Sequence, residues 1–232
     1  MMSNRLHAFA EQNELIEALS RRIAGQLQEA IAKKGKASLI VSGGSTPKPL
    51  FEKLRKREIA WEKVRIGLCD ERWVDPSHEA SNERFVKTHL LQERASAATF
   101  VGMYNDRMAA EEAEHACSEK IRTALYPFDV LILGMGNDAH TASLFPENAK
   151  LPKAFDPENG ELCIAIEPAT APHMRMSLTL AAILSAKHLY LHFEGGEKQA
   201  VYQEALAGED IYKMPIRAIL HQNITDVEVY FR

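Results

Sequence analysis

Asp138 and His140 stand two residues apart in Gly134-Met135-Gly136-Asn137-Asp138-Ala139-His140, directly after the largely apolar run 128–133. An imidazole in a glycine-rich turn can take a proton as general base, and a neighbouring carboxylate can orient its ring. A second candidate is Ser42-Gly43-Gly44-Ser45-Thr46-Pro47, which follows the run 37–42. Gly43 and Gly44 permit a tight turn, Ser45 or Thr46 suits a helix cap, and free backbone N–H groups there suit a phosphate. Asp70-Glu71-Arg72 follows a third run, 64–69, and offers three adjacent ionisable groups. Arg175 and Lys198 add two cations, the latter just after Gly195-Gly196-Glu197. The plain alternatives are a well-capped turn for 42–47, a solvated turn for 70–72, and surface cations for Arg175 and Lys198.

Three other chemistries fit poorly. Gly134, Gly136 and Ala139 match a dinucleotide fingerprint, but Pro146 cuts the following helix short and no acidic strand end stands at the required spacing. No serine sits in a GxSxG elbow. His188 and His192 share a strand face but stand about 13 Å apart, and the three cysteines are scattered, so no metal site is expected.

The elements that must position these residues alternate. An i, i+4 ladder of Leu15, Leu19, Ile23, Leu27 and Ile31 predicts a helix over 12–34, closed by Gly35. Strands are predicted at 37–42, 64–69, 99–103, 128–133, 162–166, 187–193 and 227–231, and helices at 47–56, 81–91, 107–125 and 197–207. The Pro-rich stretch 146–172 reads as a long irregular connection around its strand. Apolar strands alternating with helices imply an α/β fold: a mostly parallel, Rossmann-like sheet flanked by helices on both faces. All site residues are expected at the strand ends of that one sheet, and residues 1–232 are expected to form a single domain.

The composition supports this frame. The chain has 232 residues, 46% hydrophobic and 26% charged, enough for a full core without disulfide or metal staples. A net charge of −4 argues against broad contact with nucleic acid but leaves room for a small anion. Three dispersed cysteines and no apolar leader or membrane-length run predict a cytoplasmic chain with no membrane partner.

Taken together, these segments resemble the glucosamine-6-phosphate isomerase/6-phosphogluconolactonase superfamily, and its bacterial lactonase branch in particular. The carriers are SGGSTP (42–47), DERWV (70–74) with Ser81-Asn82, GMGNDAHTASLFP (134–146), the Arg175 segment and GGEK (195–198). One departure is Ala139, where the family usually has Gly; a positive φ there costs Ala roughly 1 kcal/mol or more. The deaminase branch carries a pattern like HxAFNEP after its histidine, whereas this chain reads HTASLFP, which favours the lactonase.

The resemblance implies hydrolysis of a carboxylic ester: 6-phospho-D-glucono-1,5-lactone to 6-phosphogluconate, in the oxidative pentose phosphate pathway. It implies catalytic roles for His140, Asp138 and Arg72, and substrate binding by Gly43, Gly44, Ser45, Thr46, Asp70, Arg175 and Lys198. No cofactor or metal is implied. The expected partner is the small sugar-phosphate lactone, with the chain a monomer or weak dimer. The competing readings are a glucosamine-6-phosphate deaminase and a non-catalytic sugar-phosphate sensor.

Overall fold

The computed structural model describes residues 4–169 and 171–232. The chain begins with strand β1 (Arg5–Ala8), which sequence patterning does not reveal because it is mostly exposed. Helix α1 (Gln12–Lys34) follows, burying Leu15, Leu19, Ile23 and Leu27 completely and ending at Gly35 in the left-handed conformation. Then come β2 (Ala37–Val41), α2 (Lys48–Leu54), β3 (Val64–Leu68), β4 (Asp70–Arg72), α3 (Asn82–His89) and β5 (Thr99–Phe100).

Helix α4 (Glu114–Ala124) starts seven residues later than the 107–125 expectation. The bracketing elements are β6 (Val130–Leu133), α5 (Leu151–Phe155), β7 (Cys163–Ile166), β8 (Arg175–Leu178) and α6 (Leu180–Leu184). The chain closes with β9 (His188–Phe193), α7 (Gly196–Ala207), α8 (Arg217–Leu220) and β10 (Val227–Phe231). The stretch 146–172 is less irregular than its prolines suggest: besides the expected strand, now β7, it holds the short helix α5.

Seven strands form a fully parallel sheet in the order β1-β10-β9-β6-β2-β3-β5. All residues of β2 and β6 are buried, as a sheet covered on both faces requires. The chain runs outward from β2 through β3 to β5, then returns to lay β6 on the other side of β2. That reversal opens a crevice beyond the carboxyl ends of β2 and β6, the usual ligand position in an open α/β sheet.

The expectation of one sheet carrying every site residue is corrected. Strands β4, β8 and β7 form a second, antiparallel sheet in that order. Asp70 and Arg72 lie on β4, and Arg175 begins β8. The physical reason is a break at Cys69: its N–H goes to Val41 O in the main sheet, while its carbonyl accepts Leu178 N of the small one. The chain therefore leaves one sheet and enters the other within two residues.

Candidate active site

A cleft of about 250 Å³ lies at the sheet reversal, between the loops that follow β2 and β6. Its walls include Gly43, Gly44, Ser45, Thr46, Asp70, Arg72, His140 and Lys198. The structure thus brings together eight of the ten residues singled out by sequence. Asp138 reaches the cleft only through His140, and Arg175 is buried outside its lining.

Each wall has a local cause. Ser42 Oγ donates to Ile132 O at 3.0 Å and accepts Gly134 N–H at 3.3 Å, fastening the loop after β2 to the end of β6. Gly43 faces the Asn82 side chain so closely that a Cβ would collide with its amide. Asn82 is almost fully buried and lines the cleft, donating through Nδ2 to Asp70 O at 2.9 Å. It was absent from the sequence-derived site. Its signal was Ser81, which caps α3 by accepting Arg84 N–H at 3.2 Å and so fixes Asn82 at the first helical position.

The turn after β6 is shaped around the imidazole. His140 Nδ1 and Asp138 Oδ1 lie 2.5 Å apart, and Asp138 also accepts His140 N–H at 3.1 Å. A Cβ at Gly136 would strike both the His140 ring and the Asp138 carboxylate, so only glycine lets the two approach there. The Phe145 ring packs beside the imidazole, with centroids 4.8 Å apart. Partial burial pushes the Asp138 carboxyl up, but the hydrogen bond and charge of His140 outweigh it and hold it below its ordinary value. With Nδ1 engaged by a carboxylate, the tautomer with a free Nε2 is favoured, which suits a base.

Ala139 has φ 67°, the left-handed conformation, and is fully buried. Its carbonyl accepts Ile216 N–H at 3.0 Å, so tertiary structure holds the strained residue in place.

Arg72 Nη1 donates to Ala80 O at 2.6 Å, and across the β4–β8 ladder its direct partner is Arg175. Burial lowers the Arg175 pKa, and the Arg72 charge lowers it further. Arg175 Nη1 is buried without a partner among the described residues. Two like charges thus sit directly opposite on one ladder, an unfavourable pairing that the Asp70 and Glu71 charges counter at Arg175. Lys198, in the first turn of α7, makes no ion pair among the described residues; burial lowers its pKa, partly countered by Glu194. Asn137 Nδ2 donates to Glu197 Oε2 at 3.0 Å and ties this turn to the His140 loop. No group of three or more His, Cys, Asp or Glu among the described residues could hold a metal ion.

Residues 10–229 match the model of the family Glucosamine-6-phosphate isomerases/6-phosphogluconolactonase. The chain belongs to this family. A 6-phosphogluconolactonase of Rhizobium meliloti strain 1021 is 40% identical over 230 residues, covering 99% of both chains. One from Pseudomonas aeruginosa is 38% identical over 220 residues, covering 95% of this chain and 92% of that one. The crystal structure of a 6-phosphogluconolactonase from Shewanella baltica OS155 superimposes with a TM-score of 0.95 at 46% identity, covering 99% of this chain and 97% of that chain.

Proposed function

We propose that this chain hydrolyses 6-phospho-D-glucono-1,5-lactone to 6-phosphogluconate. The observation that carries the reading is the convergence, in one cleft, of a carboxylate-oriented imidazole (His140 with Asp138) and two cations (Arg72 and Lys198). The 6-phosphogluconolactonase names of relatives about 40% identical over nearly the whole chain support it.

A lactone carbonyl is activated, so one base and one oxyanion stabiliser suffice. His140 Nε2 takes a proton as water attacks the carbonyl carbon. Asp138 holds the ring through Nδ1 and steadies the imidazolium that forms. Arg72 faces the developing oxyanion or the ring hydroxyls. Collapse of the tetrahedral intermediate breaks the bond to the ring oxygen, and the imidazolium returns its proton to that leaving oxygen. Lys198 and the backbone of Gly43, Gly44, Ser45 and Thr46 hold the 6-phosphate, with Asp70 on the sugar hydroxyls. Arg175 adds to the phosphate's attraction from behind the cleft wall.

The chain works in this reading as one domain over 1–232, as a monomer or weak dimer, in the cytoplasm and with no nucleic-acid partner. No described helix is long and apolar enough to cross a membrane. The test is a coupled assay on freshly made lactone, with 6-phosphogluconate formation measured above the spontaneous rate. No acceleration at micromolar protein overturns the reading.

A further inference from the structure

Glu71 lies between two cleft residues, Asp70 and Arg72, yet its own side chain is fully buried and faces away from the cleft lining. Its carboxylate is unusually well supplied with donors. Oε1 accepts Arg72 N–H at 2.8 Å and Asn82 N–H at 2.7 Å, while Oε2 accepts Glu83 N–H at 2.7 Å and Ser81 Oγ–H at 3.2 Å. One side chain of β4 thus holds the first turn of α3.

The consequence reaches the cleft by two routes. Arg72 follows Glu71 directly, and its guanidinium is fastened to Ala80 O, in the segment that enters α3. Asn82 is held by its backbone to Glu71 and by its side chain to Asp70 O, which sets it against Gly43. If the α3 terminus drifts from β4, the anchor of Arg72 and the wall at Asn82 move together. Proteins use such supporting hydrogen bonds to fix the geometry of groups that meet the substrate.

We propose that Glu71 is the positioning residue of the Arg72–Asn82 wall, acting on substrate only through these two neighbours. The effect on turnover rests on the lactonase reading; the effect on Arg72 does not.

The test combines two measurements. The first is a double-mutant cycle in kcat/KM with Glu71→Gln, Arg72→Ala and the pair. Glu71→Gln keeps the shape but turns an acceptor into a donor facing N–H groups, and should lower kcat/KM by tenfold or more. In the Arg72→Ala background, where only the Asn82 route remains, the same change should cost at least threefold less than it does in wild type. A cap that merely stabilises the fold gives equal losses in both backgrounds, and that additivity would overturn the proposal. The second measurement is the NMR signal of the Arg72 Nε–H in the free protein, which needs no activity. In Glu71→Gln it should shift and exchange faster with water. An unchanged Arg72 signal overturns the proposal even if the lactonase reading fails. Should Glu71→Gln fold poorly, Glu71→Asp, which keeps the charge and withdraws it by one methylene, serves in both arms with the same expected direction.

Discussion

Ser143 Oγ donates to Asp70 Oδ2 at 2.6 Å, and both residues are buried. Ser143 belongs to the loop after β6, three residues beyond His140, whereas Asp70 opens β4 of the small sheet. This bond therefore joins the half of the cleft that carries the base to the half that carries Arg72. Ser143 N–H also donates to Ser177 Oγ of β8 at 3.2 Å, so the loop is fastened to the small sheet at two points.

Ser143→Ala should leave the Asp70 carboxylate short of a donor. Losing a buried hydrogen bond to a charged group costs about 1–3 kcal/mol, and each kcal/mol lowers Tm by about 2–4 °C in a domain of this size. We expect a Tm several degrees lower and a several-fold loss in kcat/KM. Calorimetry and steady-state kinetics check this; unchanged values for both would mean the two halves hold their register without that bond.

His140→Asn removes the base and should lower kcat by a hundredfold or more with little change in KM. Asp138→Asn keeps the geometry but weakens orientation of the ring, so its loss in kcat should be real and smaller. Near wild-type turnover in His140→Asn would remove His140 from the chemistry.

Lys198→Ala should raise KM by about ten- to a hundredfold, the worth of one charge-assisted hydrogen bond, with kcat less affected. The same substitution should weaken binding of the product 6-phosphogluconate by a similar factor in titration calorimetry. An unchanged KM and product affinity would assign the phosphate to other groups.

Much of this was legible in the sequence, for reasons specific to each element. The Leu15–Leu19–Ile23–Leu27 ladder could only bury one helical face, and Gly35 marked its end. β2 and β6 read as strands because a parallel sheet buries both faces. The glycine-rich turns after them pointed to the cleft through their proximity to Asp138, His140 and Ser45. The small sheet was harder to see. Its strands β4 and β8 bury Asp70, Glu71 and Arg175, residue types that periodicity arguments place at the surface. Asp70 is satisfied by Ser143, 73 residues away, and Glu71 by the N-terminus of α3, contacts that appear only once the chain has folded. β1 escaped for the opposite reason: as an exposed edge strand it shows no apolar pattern. Asn82 and Ser143 carry common polar side chains whose roles arise only from tertiary contact.

Ala139 allows a prediction in which three magnitudes nearly cancel. Its positive φ costs roughly 1–2 kcal/mol against glycine. Its buried methyl group recovers about 0.8 kcal/mol, and glycine loses roughly 0.5–1 kcal/mol more chain entropy on folding. Ala139→Gly should therefore change unfolding free energy by less than about 1 kcal/mol. Ala139→Val adds a β-branch to a left-handed, fully buried position and should cost more than about 2 kcal/mol. Urea unfolding of both variants checks the pair. A large stabilisation in Ala139→Gly would show that the methyl group contributes nothing to packing.

Glu194 gives the acid limb of stability. It lies between β9 and α7, with His192 Nε2 3.3 Å away, pairs with Arg232 Nε at 3.1 Å and accepts Gln12 Nε2–H at 2.9 Å. The contact with His192 leads in bringing its carboxyl from the usual 4.5 to about 2; burial pushes the other way, and the contacts from Arg232 and Gln12 help to outweigh it. A carboxyl whose folded pKa lies below its unfolded value contributes stability above the unfolded pKa, and that stability is lost as pH falls toward the folded one. The wild-type chain should thus lose stability between pH 4.5 and 2 partly through this residue. Glu194→Gln should be less stable at pH 7, and the gap to wild type should shrink steadily as pH falls through that window. Urea unfolding at pH 7, 4.5 and 3 measures it. A gap that stays constant across those three values would mean that ionised Glu194 gains nothing from His192 and Arg232.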